Sequence, residues 1–600
     1  MRLSAFAAVC VCCACSTPSE PSVEPPPVPV EIVEKVVKQE AVKKADPAPQ
    51  PDLAMKPVEK LNRERVTGLA EVKAGKRAEL SEVLGSAHGI SVGTSQGIGG
   101  LGTRGMGSGS AGGVGVLSLR GAGVAVGGVA MARAFGGGGA ISTDRGGDGE
   151  SYGDYGVNEW TDTAKDHLST FAADVDTASY TIARRKIVEG QMPPAESVRV
   201  EEFLNYFKYR YPQPEGGALG VTMDAAPSPF SSGKHLLRVG IQGRRLSVSE
   251  RKAAHLTFLV DVSGSMQSPD KLPLAQRALR LLVDNLRDGD TVALVTYAGN
   301  VRVVLPHTGM EKKALIHEAI AGLTAGGSTA MASGIELAYQ QATKVLDGAS
   351  LSRVIILSDG DANVGAATPG EIRKLIAGHT KEGITVTTVG FGMGNYKDDV
   401  MEQFANKGNG NHYYVDSLFE AKRVFQTELG GTLEVIAQDV KLQVDFDAAQ
   451  VKRYRLIGYE NRYIADVDFR NDRVDAGEIG SGHTVTALYE VELKPGAGAK
   501  LCTVRVRAKK PRGTEAAEQA FPFPAAALAT RFDGAPNDLR FATAVMGAAE
   551  LFRQSPHARS WNVDAVLEIA RSAAGDEADR REFVSLLERS RPVLKAVASR

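Results

Sequence analysis

The body of this 600-residue chain has almost no cysteine. Four of its five cysteines crowd into the first fifteen residues, at Cys10, Cys12, Cys13 and Cys15, and Cys502 stands alone. That leaves no pair for a disulfide framework or a thiolate zinc site in the body, and Cys502 reads as a small buried hydrophobe. An excess of charge is missing too: 70 basic and 71 acidic side chains give a formal net charge of -1. Neither nucleic acid nor an anionic bilayer is therefore suggested as a partner surface. No internal run of about twenty apolar residues offers a transmembrane span. The signatures of common hydrolytic and nucleotide chemistry are also absent, with no HExxH, no GxSxG in a suitable elbow and no phosphate loop.

What is present begins with "MRLSAFAAVCVCCACSTPSEP", an early arginine, a short apolar run and then small residues before a polar, proline-bearing stretch. This pattern predicts an export signal. It resembles a bacterial lipoprotein signal in which Ala14 precedes a lipid-modified Cys15, although Cys12 stands where leucine is usual. The alternative is an ordinary signal peptide with incidental cysteines. The lack of an aspartate just after Cys15 implies, by the same resemblance, outer-membrane sorting where such a membrane exists. Residues 16–159 then read as a tether. A Pro-, Glu-, Val- and Lys-rich spacer comes first, a charged helix over 56–85 follows, and a glycine-rich stretch cannot recover its backbone entropy by packing.

Ordered patterning resumes near Trp160. Residues 160–252 predict two helices and two alternating strands, with Phe203, Leu204, Tyr206 and Phe207 forming a core face. From 253 to 429 strands and helices alternate, and the runs "FLV" and "VIIL" suit a sheet covered on both faces. The fold class is thus α/β, doubly wound and Rossmann-like. Residues 430–525 read as β-rich, with strands over 432–447, 452–469 and 482–508. Residues 526–600 read as three amphipathic helices anchored by Trp561. The strands before and after the α/β region are expected to share one β-rich domain, into which the α/β region is inserted with both crossings opposite its functional rim.

The stretch "TFLVDVSGSMQ" places Asp261, Ser263 and Ser265 at the exit of a buried strand. In an open α/β sheet the loops at strand carboxyl ends meet in one crevice. "SDG" after "VIIL" brings Asp359 there, and "TAGGSTA" brings Thr329, with Gly326 and Gly327 permitting close approach. These five residues make an all-oxygen shell suited to a hard divalent cation, Mg²⁺ first, with Mn²⁺ or Ca²⁺ as substitutes.

On these residues, 253–429 resembles a von Willebrand factor type A domain, whose metal-ion-dependent adhesion site has the order Asp-x-Ser-x-Ser, threonine, aspartate. "DVSGS", "GGST" and "SDG" match it in full. The resemblance implies hydroxyl ligation by Ser263, Ser265 and Thr329, with Asp261 and Asp359 binding directly or through metal waters. "STFAADVDTASYTIARR", "PPAESVRVEEFLNYFKYRYPQP", "YRLIGYENR" and "DAGEIGSGHTVTALYEVEL" further resemble the flanks of exported bacterial proteins of this type, many of them lipoproteins.

Other polar groups carry less. His483 with Glu478, Asp475 and Glu490 reads as strand-surface polarity rather than a second metal centre, and His307 and His412 as isolated polar residues. Ser263 and Ser265 have no assigned base, so an enzyme is not expected. The expectation is a lipid-anchored, metal-dependent protein-binding module of the cell envelope. Its protein partner presents an Asp or Glu to the metal. The alternative is an envelope scaffold whose metal chiefly stabilises loops.

Overall fold

The computed structural model describes residues 141–142, 149–328, 330–360, 368–394, 396–428, 431, 433–496 and 498–598. The signal segment with Cys15, the charged-helix and glycine-rich parts of the tether, and Thr329 lie outside the described residues. Among those described, no helix is long and apolar enough to cross a membrane.

The chain enters through β1 (Leu168–Ala172), α1 (Ala178–Val188) and α2 (Val200–Tyr206), then the hairpin β2 (Leu219–Pro227) and β3 (Lys234–Gly243). The α/β region follows as β4 (Ala254–Asp261), α3 (Leu272–Asp284), β5 (Thr291–Tyr297), β6 (Val301–Gly309), α4 (Lys313–Ala321) and α5 (Met331–Thr343). It continues through β7 (Leu351–Ser358), α6 (Pro369–Lys381), β8 (Ile384–Phe391), α7 (Asp398–Lys407), β9 (His412–Val415) and α8 (Leu418–Lys422). After it come β10 (Val435–Phe446), β11 (Val451–Ile457), β12 (Gly477–Gly480), β13 (Thr484–Leu493), β14 (Lys500–Lys509) and β15 (Ala516–Pro524). Three helices close the chain: α9 (Asn537–Phe552), α10 (Val563–Ala573) and α11 (Ala578–Ala598).

The α/β sheet has strand order β9-β8-β7-β4-β5-β6, parallel except for the edge strand β6. Its central strands are apolar on both faces because helices cover both. Leu256, Phe258 and Val260 of β4 point to one helical layer, and Leu259 points to the other. Both layers are apolar, which is the reason these strands read as continuous runs rather than alternations.

The strands on either side of this region pair with one another. β3 lies antiparallel to β13, with Val239 opposite Ala487, and the sheet runs β11-β13-β3-β2 with the short strand Thr161–Asp162 at its edge. A second sheet, β12-β10-β14-β15 with β1 also on β10, stacks against it. Leu237, Val239, Ile241, Ala487 and Tyr489 of the first sheet share a core with Leu442, Val444 and Val504 of the second. Leu236 and Leu488, on the opposite pleat, enter the core of α1, α2 and the C-terminal helices. The period of two thus serves two different cores. The predicted aromatic face is buried, and Trp561 stacks on Phe230 with ring centroids 4.6 Å apart.

The α/β region joins this sandwich at one edge. The backbone N–H of Lys252, where the chain enters, donates to Glu434 Oε2 just after the exit at 3.1 Å, and Leu351 N at the start of β7 donates to Ala253 O. Both crossings therefore lie at the amino ends of the parallel strands.

Two expectations need correction. Residues 149–159, assigned to the tether, pack on the folded body: Tyr152 is buried and Ser151 Oγ donates to Asp399 Oδ1 at 2.9 Å. Polarity and glycine in "GGDGESYGDYG" masked one anchoring aromatic. Residues 458–469 are not a continuation of β11. Tyr459 has a positive φ of 63° and begins two short 3-10 turns. Its ring, against Phe171, and its hydroxyl, donating to Thr486 O, hold it in the left-handed region.

Candidate functional site

The site lies at the carboxyl ends of β4 and β7. These strands are neighbours, and their following connections depart to opposite sides, so the sheet leaves a crevice between them. Asp261 is the last residue of β4 and is fully buried. Its Oδ1 accepts the backbone N–H of Ser263 at 2.9 Å, and its Oδ2 accepts the hydroxyl of Ser358 at 3.1 Å. The first bond is an Asx turn that reverses the chain directly after the strand. It leaves Ser263 Oγ and Ser265 Oγ facing each other at 2.9 Å.

Asp359 follows β7 and is also fully buried. Its Oδ2 accepts from Lys271 Nζ at 2.8 Å. Burial pushes the Asp261 carboxyl up to about 6, against the lowering effect of its hydrogen bonds from Ser263, while the nearby Asp359 charge raises it further. A buried carboxylate displaced in this direction is short of positive charge.

Of the five predicted ligands, the structure brings together Asp261, Ser263, Ser265 and Asp359. Thr329 lies outside the described residues, but the loop that carries it is docked on the site. Gly264 N donates to Gly327 O at 3.0 Å, and Gly326 N donates to Val262 O at 2.8 Å. Gly327 has φ of 89°, and a Cβ there would sit 3.1 Å from Gly299 N, so glycine is required both for conformation and for room.

Two residues of the site escaped sequence reasoning. Ser358 donates to Asp261 and accepts Gly360 N; its only signal was its place in "LSDG". Lys271, at the start of α3, gave no signal, because it meets Asp359 across 88 residues of sequence.

The donor set fits a hard divalent cation. Every group is an oxygen, both carboxylates are buried, and one of them lacks a full countercharge. Among the described residues no group of three or more His, Cys, Asp or Glu is placed to hold a metal. His483 is buried, and burial, with Lys208 nearby, pushes its imidazole down to about 3. Glu490 pairs instead with Arg455 at 2.8 Å and Asp475 with Lys407 at 3.1 Å. His412 meets Thr388, Tyr396 and Asp398, and His307 meets Thr257 and Thr291.

Comparison with known proteins identifies the α/β region. The model of the von Willebrand factor type A domain matches residues 255–428. A model described as von Willebrand factor matches 147–238, and one described as the C-terminal part of the uncharacterized protein YfbK matches 431–499 and 494–593. The uncharacterized protein YfbK of Escherichia coli is 36% identical over 466 residues, covering 73% of this chain and 80% of that protein. The uncharacterized protein sll0103 of Synechocystis sp. is 27% identical over 32% of this chain, which spans 44% of its length. Among solved structures, a von Willebrand factor type A protein from Catenulispora acidiphila aligns over 64% of this chain and 91% of its own, at 17% identity and a TM-score of 0.40. An α/β region of von Willebrand factor A type, with matching sequence on both flanks and one-third identity over most of a full-length relative, makes this chain a member of the YfbK family.

Proposed function

We propose that this protein is an envelope-tethered binding module that uses a divalent cation to engage a carboxylate on a protein partner. The observation that carries the reading is the pair of serine hydroxyls, 2.9 Å apart, beside two buried carboxylates at the carboxyl ends of two central strands. The all-oxygen donor set favours Mg²⁺, with Mn²⁺ or Ca²⁺ as substitutes, and Ser263, Ser265, Thr329, Asp261 and Asp359 would hold it. When bound, the cation supplies a Lewis-acidic position for an anionic oxygen.

This chain's own residues do the rest. Asp261 fixes the Asx turn that aims both hydroxyls, and Ser358 holds the other carboxylate oxygen. The hydroxyls of Ser263 and Ser265 face one another and not an imidazole, so they are arranged as ligands rather than as an activated nucleophile. Recognition is concentrated on one acidic partner side chain, with the rim supplying contact area.

Site-specific crosslinkers placed at Gln267 or Gly326 are expected to capture a protein in the presence of Mg²⁺ and to lose it in EDTA. Capture that persists unchanged in EDTA and in D261A/S263A would sink the reading. If chelation lowers thermal stability while the folded metal-free protein still retains the partner, the scaffold alternative stands instead. Tethering through a lipid on Cys15 is part of the same proposal. C15A is expected to abolish labelled-lipid incorporation and membrane retention, and unchanged labelling overturns it.

A further inference from the structure

The metal-site reading leaves one buried group without a role. Lys271 is almost fully buried and sends its ammonium to Asp359 Oδ2 at 2.8 Å. It belongs to the same loop that carries Ser263 and Ser265, four residues beyond the short 3-10 turn that they begin. Its stem runs across Gly392 at the exit of β8, where φ is 71°. A Cβ at that position would lie 2.3–2.8 Å from Lys271 Cε, Cγ and Cδ. The turn containing Gly392 is itself pinned, since Tyr414 Oη donates to Gly392 O at 2.7 Å. On the other side, Asp270 accepts from Arg185 of α1 at 2.7 Å and from Ser268 at 2.5 Å. The loop is therefore fixed at two consecutive residues, and the lysine lies in a groove that only glycine leaves open.

From this placement we infer that Lys271 is the resident counterion of the site: it neutralises Asp359 when no metal is present and opposes the divalent cation when one arrives. The inference rests on the metal reading of Asp261, Ser263 and Ser265. Among the described residues, the fixed ammonium offsets one of the two buried carboxylate charges, Asp261 and Asp359. A divalent cation placed beside Asp359 comes within a few ångströms of the ammonium, and at that range repulsion in a partly buried site is large. Lys271 thus tunes the affinity downward, so that the metal exchanges. It also supports the fold of the metal-free site, because breaking a buried ion pair by removing one partner is destabilising.

The test is a Mg²⁺ titration of the full chain by calorimetry, repeated with Mn²⁺ by electron paramagnetic resonance. K271M, K271Q and K271R are compared with the unmodified protein. K271Q keeps a hydrogen-bond donor without the charge and serves if K271M does not fold. The expected result is at least about tenfold tighter metal binding in K271M and K271Q, and little change in K271R. In EDTA the neutral variants are expected to melt below the unmodified protein, and saturating Mg²⁺ to restore them. Unchanged or weaker metal binding in both neutral variants overturns the inference, even where S263A/S265A abolishes binding and so upholds the metal site. If neither the unmodified protein nor the neutral variants bind Mg²⁺ or Mn²⁺, both readings fall. Binding that appears only in the neutral variants supports the opposing role directly.

Discussion

At the seam where the α/β region meets its flanks, Arg462 reaches Asp174 at 3.1 Å, Asp176 at 3.0 Å and Glu402 of α7 at 3.3 Å. At the rim of the same sheet, Asp261 and Asp359 have one lysine between them. The seam also holds Arg199, bonded to Asp398 and Glu202, and Arg184, bonded to Asp416 and Glu420. Both places bury carboxylates. The seam answers them with guanidinium groups, whose planar fork satisfies several acceptors in a fixed geometry. Among the described residues, the rim answers with hydroxyls, backbone N–H groups and the Lys271 ammonium. The Asp398 carboxyl shows the effect at the seam. Burial alone pushes it up, but Arg199 and His412 together hold it below the usual carboxylate range. Asp261 at the rim stays raised. A raised carboxyl does not by itself separate the two places, since Glu202, bonded to Arg199, is pushed up to about 7 and Asp176, paired with Arg462, is raised as well; the rim differs in setting serine hydroxyls beside its carboxylates.

The comparison can be broken most severely at Arg462. R462M removes the cation shared by Asp174, Asp176 and Glu402, and is expected to cost about 3–5 kcal/mol in urea unfolding. The loss should be larger at pH 8 than at pH 5. Burial, and then the charge of Asp174, raises the Asp176 carboxyl, so at lower pH a proton replaces part of what the arginine supplied. An R462M protein as stable as the parent would remove the distinction between seam and rim.

At the rim, S263A/S265A should behave in the opposite manner. Metal-free stability is expected to fall by about 1–2 kcal/mol, less than at Arg462, since the hydroxyls bond each other and Ser263 also bonds Asp261. Mg²⁺ affinity is expected to fall about a hundredfold or more, equivalent to about 2.7 kcal/mol. Calorimetry and thermal shift with and without EDTA read the two quantities separately.

A milder test exploits the proton load of the seam. Burial, with Glu460, Asp174 and Glu202 close by, pushes the Glu201 carboxyl up to about 8 from its ordinary 4.5. Between these values the folded state holds a proton that the unfolded state has released, so stability falls as pH rises through that window. E201Q keeps the carbonyl that accepts Tyr459 N and removes the titration. Its stability relative to the parent should therefore improve by about 1 kcal/mol or more between pH 5 and pH 8.5. A parallel pH dependence in the two proteins would show that Glu201 is not the group responsible.

The smallest effect is expected at the exposed margin of the seam. Lys407 and Asp475 join α7 to the flank at 3.1 Å, but both side chains are about half exposed, at 50% and 54%. K407A should cost no more than about 0.5 kcal/mol. A loss comparable with R462M would mean that distance, rather than burial, governs these pairs.

The site was legible where chemistry follows chain order. "DVSGS" sets Asp261 two residues before Ser263, close enough for an Asx turn, and two more before Ser265, so its geometry is nearly local. "FLV" and "VIIL" announced strands buried on both faces, and the exits of such strands meet at one edge. The shared β sheet was legible more weakly, from alternation in "HLLRVGIQG" and "TVTALYEVEL", which set out two faces without naming what each would meet. Leu236 and Leu237 show the limit. They are equally apolar, yet one belongs to the helical core and the other to the sandwich.

What the sequence by itself determined was therefore most of the elements, the α/β class and the oxygen-bearing side chains that follow β4 and β7, because these depend on periodicity and on spacings of a few residues. Tertiary structure alone decided the pairing of β3 with β13, the burial of Tyr152 and the guanidinium network of the seam. It also set Lys271 across Gly392 onto Asp359. Each of these contacts joins positions dozens to hundreds of residues apart. A lysine before a helix reads as a solvated charge until the fold closes around it and leaves one carboxylate within reach.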